Sequence, residues 1–232
     1  MDAKELIARR VAEEIQPGML VNLGIGLPSM VANYVPTSLG VYFQAENGVI
    51  GLGARPPEGM EDPHLTDAGG GFVSAVPGAA SIDSAMSFGL IRGGHLDMTV
   101  LGGLEVDAKG QLANWKVPQK MVPGMGGAMD LVTGARMVIV AMLHMAKGQS
   151  KIVQECTLPL TSLRPVDLII TDLAVIKPIK EGLLLCEYAP NSSIDQVIES
   201  TEADLIISNE IKPMFTSGIH ENYQWHTLDS NA

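Results

Sequence analysis

Glu46 stands in "FQAENGVIGLG" (43–53), between a β-prone apolar run and an Asn-Gly turn. Asn47-Gly48 tolerates positive φ, so the chain can reverse there. A carboxylate at that point either solvates a hairpin tip or is held on a rigid strand end and aimed at a ligand. The far arm, "VIGLGA", does not alternate polar and apolar residues as a solvated arm would. A second stretch, "VPGMGGAMDLVTGAR" (122–136), carries three glycines in four residues, among them Gly126 and Gly127. Such a backbone admits a ligand closely and can point amide N–H groups at an oxyanion, or it serves as a tight connection between elements. A third, "HMAKG" (144–148), places His144 and Lys147 just after an apolar run. Lys147 there meets a phosphate or carboxylate, or is simply solvated.

These groups need elements that converge on one edge. Leu6, Ile7, Val11 and Ile15 share a helical face that "QPG" (16–18) ends. "MLVNLG" (19–24) reads as a buried strand, and Pro28 opens a helix through "SMVANYV". Further strands are expected at 41–46, 97–103, 136–143, 167–172, 173–179, 182–189 and 203–208, with helices at 83–94 and, behind Ser193 as N-cap, 193–204. Apolar strands alternating with helices predict one α/β domain over 1–232 built on an open, largely parallel sheet with flanking helices. In such sheets ligands bind beyond the carboxyl ends of the strands, where Glu46 falls. The Pro/Gly-rich segment 53–66 is expected to be a mobile loop, and 220–232 a peripheral tail.

Composition narrows the function. With 46% hydrophobic and 18% charged residues, the 232-residue chain can bury a sizeable core. A net charge of −11 without any basic run argues against nucleic acid. The longest apolar stretch, "MVIVAMLHMA", is shorter than the roughly 20 residues that span a bilayer. Two cysteines without CxxC spacing and a charged start, "MDAKELIARR", suit a cytoplasmic protein. "GIGLPS" (24–29) has Ser29 where a dinucleotide fingerprint needs its third glycine, and neither a P-loop, a GxSxG elbow nor a zinc-protease helix occurs. No metal site is expected.

Taken together, "VNLGIGLPSMVANYVP", "QAENGVIGLG", "DSAMSFGLIRGGHLDMTVLGGLEVD", "LANWKVPQKMVPGMGGAMDLVTGAR" and "ECTLPLT" resemble the β subunit of class I CoA-transferases. That group contains the acetoacetate (butyrate–acetoacetate), succinyl-CoA:3-ketoacid and 3-oxoadipate enzymes, and the resemblance runs to about residue 208. It implies that Glu46 is the nucleophile of the family's S-E-N-G motif and forms a glutamyl-CoA thioester in a ping-pong reaction. Gly126 or Gly127 would stabilise oxyanions, Gly127 and Lys147 would contact coenzyme A as cosubstrate, and Asn47 would orient the carboxylate. No permanently bound cofactor is implied. The substrates would be acyl-CoA and a short-chain carboxylic or 3-oxo acid, and the partner an α subunit in an α₂β₂ assembly. Ala45 replaces the family's usual Ser, and Leu143 stands where "MEH" is common. An acyl-CoA hydrolase on the same scaffold, or a non-catalytic subunit of such an assembly, are the alternatives.

Overall fold

The structure is a computed structural model that describes residues 1–116 and 125–215; Gly124 and the 220–232 tail lie outside the described residues. Asp2 caps α1 (Ala3–Ala12) by accepting from the Glu5 N–H, and Leu6, Ile7 and Val11 bury one face of it. After β1 (Leu20–Leu23) the expected helix is present, as a 3₁₀-helix over Pro28–Tyr34. Val31, Asn33 and Tyr34 are poor α-formers and Pro36 closes the segment, so the tighter helix is what forms there. Next come β2 (Tyr42–Ala45), β3 (Val49–Leu52) and β4 (Ala75–Ser81). The 53–74 excursion between the last two closes on itself, Gly53 N–H donating to Ser74 O and Ser74 N–H to Ala54 O.

Asp83 caps α2 (Ser84–Arg92), which is followed by β5 (Met98–Leu101), β6 (Glu105–Asp107) and β7 (Leu112–Ala113). Then follow α3 (Ala128–Gly134), β8 (Met137–Ala141), β9 (Met145–Ala146), β10 (Gln149–Ser150), β11 (Ile152–Val153) and β12 (Leu168–Ile170). The antiparallel pair β13 (Ala174–Ile179) and β14 (Gly182–Tyr188), then α4 (Ile194–Glu199) and β15 (Leu205–Pro213), complete the described chain.

Ten strands form the main sheet, in the order β15-β14-β13-β12-β8-β5-β1-β2-β3-β4. The five from β12 to β2 are parallel, as expected, and the antiparallel pairs lie on either side of them. Connections as short as Lys180–Glu181 or Glu46–Gly48 cannot make a parallel crossover, which takes a dozen residues or more. The central strands are buried on both faces, as their continuous apolar runs require. Val138 and Val140 of β8 face the core beneath α2, α3 and α4, while Ile139 and Ala141 face the core beneath α1. At the far edge β4 is largely exposed and contains Pro77 and Gly78, the latter at φ +86°.

Candidate active site

Glu46 directly follows β2, the outermost of the parallel strands on that side, and begins a turn. Gly48 N–H donates to Ala45 O at 3.0 Å, and β3 returns antiparallel with Ala45 opposite Val49. The hairpin is therefore present. Gly48 has φ +118°, and any Cβ there would collide with the Ile82 carbonyl, whose own N–H donates to Gly48 O at 2.9 Å. Only glycine fits that combination. From the other side, Asn47 Nδ2 donates to Thr66 O at 2.8 Å. The hairpin tip is thus pinned between Ile82 and the 53–74 excursion.

The Glu46 side chain is half-buried and faces the start of α3. A Cβ on Gly127 would lie 3.2 Å from Glu46 Cγ and 3.5 Å from its Cδ, so the bare glycine backbone packs directly over the carboxylate. Neither the Gly126 nor the Gly127 N–H donates a hydrogen bond among the described residues. Gly126 takes φ +55°, with open space where its Cβ would be. Two segments some 80 residues apart in sequence meet here.

Asn47, expected to orient the carboxylate, turns its amide to Thr66 instead. The amide that faces Glu46 belongs to Asn22 of β1, with Nδ2 at 3.3 Å from Oε2. Asn22 is fully buried, and so are Thr99 and, to within 1%, Gln44, both bonded to it. The signal available in the sequence was a polar residue interrupting each of three apolar strand runs, "MLVNLG", "VYFQAE" and "DMTVLGG".

His144 does not reach the ligand edge. Its ring is buried between the Thr171 and Thr201 hydroxyls, at 2.9 and 3.0 Å, and burial pushes its pKa down to about 4 despite the opposing charge of Asp172. Lys147 occupies the exposed turn of the β9–β10 hairpin with φ 52°, and no contact among the described residues joins it to Glu46. At the carboxyl ends of β1, β5 and β8 a recess of about 320 Å³ is lined by Ile25, Leu27, Pro28, Met142, Leu143 and Lys151 among others. Lys151 Nζ donates to Gly103 O at 2.5 Å, and burial lowers its pKa. A larger cavity, about 640 Å³, is lined by Arg10, Met137, Leu168 and Glu187 among others and shares none of these residues. Among the described residues no cluster of three or more His, Cys, Asp or Glu is arranged to hold a metal ion.

A carboxylate at the carboxyl edge of a parallel sheet, with a bare glycine backbone over it and an amide beside it, has the chemistry to act on a ligand bound beyond the strand ends. The chain belongs to the coenzyme A transferase family, whose model matches residues 4–200. It is 53% identical to the β subunit of the acetate CoA-transferase of Haemophilus influenzae over 215 residues, covering 92% of this chain and 96% of that one. It is 51% identical to the B subunit of the succinyl-CoA:3-ketoacid coenzyme A transferase of Helicobacter pylori over 202 residues, covering 87% and 97%. An acyl-CoA transferase apoenzyme from Escherichia coli O157:H7 shares the fold at a TM-score of 0.75 and 24% identity. That match covers 92% of this chain but 43% of that longer one.

Proposed function

We propose that this chain is the nucleophile-bearing β subunit of a CoA-transferase and exchanges CoA between an acyl-CoA and a free short-chain carboxylic or 3-oxo acid. The observation that carries the reading is the half-buried Glu46 carboxylate at the strand end, with the Gly127 backbone packed over it. Glu46 attacks the thioester carbonyl of the donor, forming an acyl-glutamyl anhydride and releasing CoA thiolate. The thiolate returns to the glutamyl carbonyl, which frees the acid and leaves a glutamyl-CoA thioester. An acceptor carboxylate then runs the two steps in reverse.

The Gly126 and Gly127 amides have no other hydrogen-bond partner among the described residues and are suited to the oxyanions formed on the way. One such donor is worth roughly 3 kcal/mol in the barrier. Gly127 and Lys147 are the proposed contacts to CoA. The 53–66 segment, anchored to the hairpin by Asn47, is placed to exclude water as a lid. Each exchange replaces one thioester by another, so the chemistry requires no permanently bound cofactor. Relatives named as β or B subunits support an α partner. No helix among the described residues is long and apolar enough to cross a membrane, which suits a cytoplasmic enzyme.

The test is covalent. The chain, copurified with its α partner, is incubated with acetoacetyl-CoA alone, and CoA-modified peptides are mapped by mass spectrometry. An adduct on the Glu46 peptide that Glu46→Gln abolishes is the expected result. A complex that binds CoA but forms no adduct and exchanges none overturns the transferase reading for that donor. Thioester loss without an acceptor acid would identify a hydrolase.

A further inference from the structure

Asn22 of β1 pairs in register with Gln44 of β2 on one side and Thr99 of β5 on the other. The three side chains form a lateral row across neighbouring parallel strands, and the next position along it, on β8, is Val138. A polar row in a dry layer is unfavourable unless every group is paired. Here the pairing is complete: no buried side-chain nitrogen or oxygen among the described residues lacks a partner.

The row also has a direction. Gln44 Nε2 donates to Ser87 Oγ of α2 at 2.9 Å, which turns Gln44 Oε1 toward Asn22, whose Nδ2 donates to it at 2.9 Å. Thr99 Oγ1 donates to Asn22 Oδ1 at 3.2 Å. Both contacts require the same orientation of the Asn22 amide, with nitrogen on the side of the hairpin. A flipped amide would set its oxygen against Gln44 Oε1 and against the carboxylate. The remaining reach of Nδ2 is to Gln44 O at 3.1 Å and to Glu46 Oε2 at 3.3 Å. Ser87, like Thr99, is fully buried, so water does not compete.

We infer that Thr99, Gln44 and Ser87 are positioning residues that lock the Asn22 amide so that its N–H holds Oε2 of Glu46 and leaves Oε1 to attack. This rests on Glu46 being the nucleophile. Oε1 bonds to the thioester carbonyl carbon, the carbon–sulfur bond breaks, and CoA departs as thiolate, while Oε2 becomes the glutamyl carbonyl oxygen. When the thiolate sulfur bonds to Cδ, negative charge builds on Oε2, where the Asn22 N–H waits. Breaking the Cδ–Oε1 bond then releases the free carboxylate. No proton is exchanged, so a neutral amide suffices where an acid would be out of place.

The experiment is single-turnover formation of the Glu46–CoA adduct in the α-containing complex, for Thr99→Val, Thr99→Ser, Ser87→Ala and Asn22→Ala. Val is nearly isosteric with Thr but cannot donate. Thr99→Val is expected to slow adduct formation 10- to 100-fold, with half-saturating acyl-CoA unchanged within twofold, because a small misplacement suffices for that loss. Thr99→Ser should restore the rate, and Ser87→Ala should slow it 3- to 10-fold. In an Asn22→Ala background Thr99→Val should have no further effect, since the two act through one group. A Thr99→Val rate within threefold of wild type, or the same loss in both backgrounds, overturns the inference. Should Thr99→Val not fold, the Ser87→Ala rate, alone and with Asn22→Ala, decides by the same two criteria. Absence of an adduct in the wild-type complex would instead overturn the transferase reading.

Discussion

Gly126 and Gly127 are neighbours, but a methyl group would do different things at each. At Gly127 it would press on Glu46 Cγ at 3.2 Å and displace the carboxylate, so Gly127→Ala should slow adduct formation on Glu46 by about 10- to 100-fold, measured by mass spectrometry over time. At Gly126 it would meet open space but hold a left-handed residue, φ +55°, costing about 1–2 kcal/mol of stability and little rate. A reversed order of the two variants would remove Gly127 from the site. Glu46 and Gly127 were legible because each lies in a long stretch with glycines that a plain turn does not need. Asn22 was not, since one asparagine in "MLVNLG" signals neither catalysis nor position until its neighbours across the strands are known. Asn47 misled for the opposite reason: being next to Glu46 in sequence says nothing of where an amide on a turn will point.

The connector from β8 to β11 shows how an element reassigns its residues. The β9–β10 hairpin turns through Lys147 and Gly148 at φ 52° and 78°, the signature of a two-residue primed turn, and it presents Lys147 outward. His144, three residues earlier, is drawn into the core. Because burial holds its folded-state pKa near 4 against an ordinary 6.5, the unfolded chain takes up a proton that the folded one refuses. The stabilisation is therefore fully present above pH 6.5 and is lost as pH falls toward 4, by on the order of 3 kcal/mol in all. Urea titrations at pH 7.5 and pH 5 should show the wild type losing about 2 kcal/mol more than His144→Gln. Equal losses would mean that the ring is protonated in place. The sequence gives no hint of Thr171 or Thr201, because both arrive from distant strands and turns.

Across the whole molecule, Arg10 of α1 ties the first helix to the β13–β14 hairpin. Its guanidinium donates to both Glu187 oxygens, at 2.7 and 3.1 Å, and to Glu14 at 2.7 Å. Burial works against the Arg10 charge, but these carboxylates outweigh it and raise its pKa. Arg10→Met leaves Glu187 buried with Lys212 at 3.6 Å as its remaining cation among the described residues and should cost about 3–5 kcal/mol in urea unfolding. Replacing Glu187 by Met as well should recover most of that loss; no recovery would show that packing, not charge, holds the helix. The parallel centre of the sheet was readable from its unbroken apolar runs. The antiparallel pairs on either side were not, because strand direction is decided by connection length and pairing rather than by the strands' own residues. One flank has a bearing on how the molecule meets others. β4 ends the sheet, yet Pro77 offers no N–H there and Gly78 departs from strand geometry at φ +86°. An incoming strand finds an interrupted ladder on this border, so the sheet is terminated rather than merely unoccupied. Aggregation by strand addition is therefore discouraged along this border.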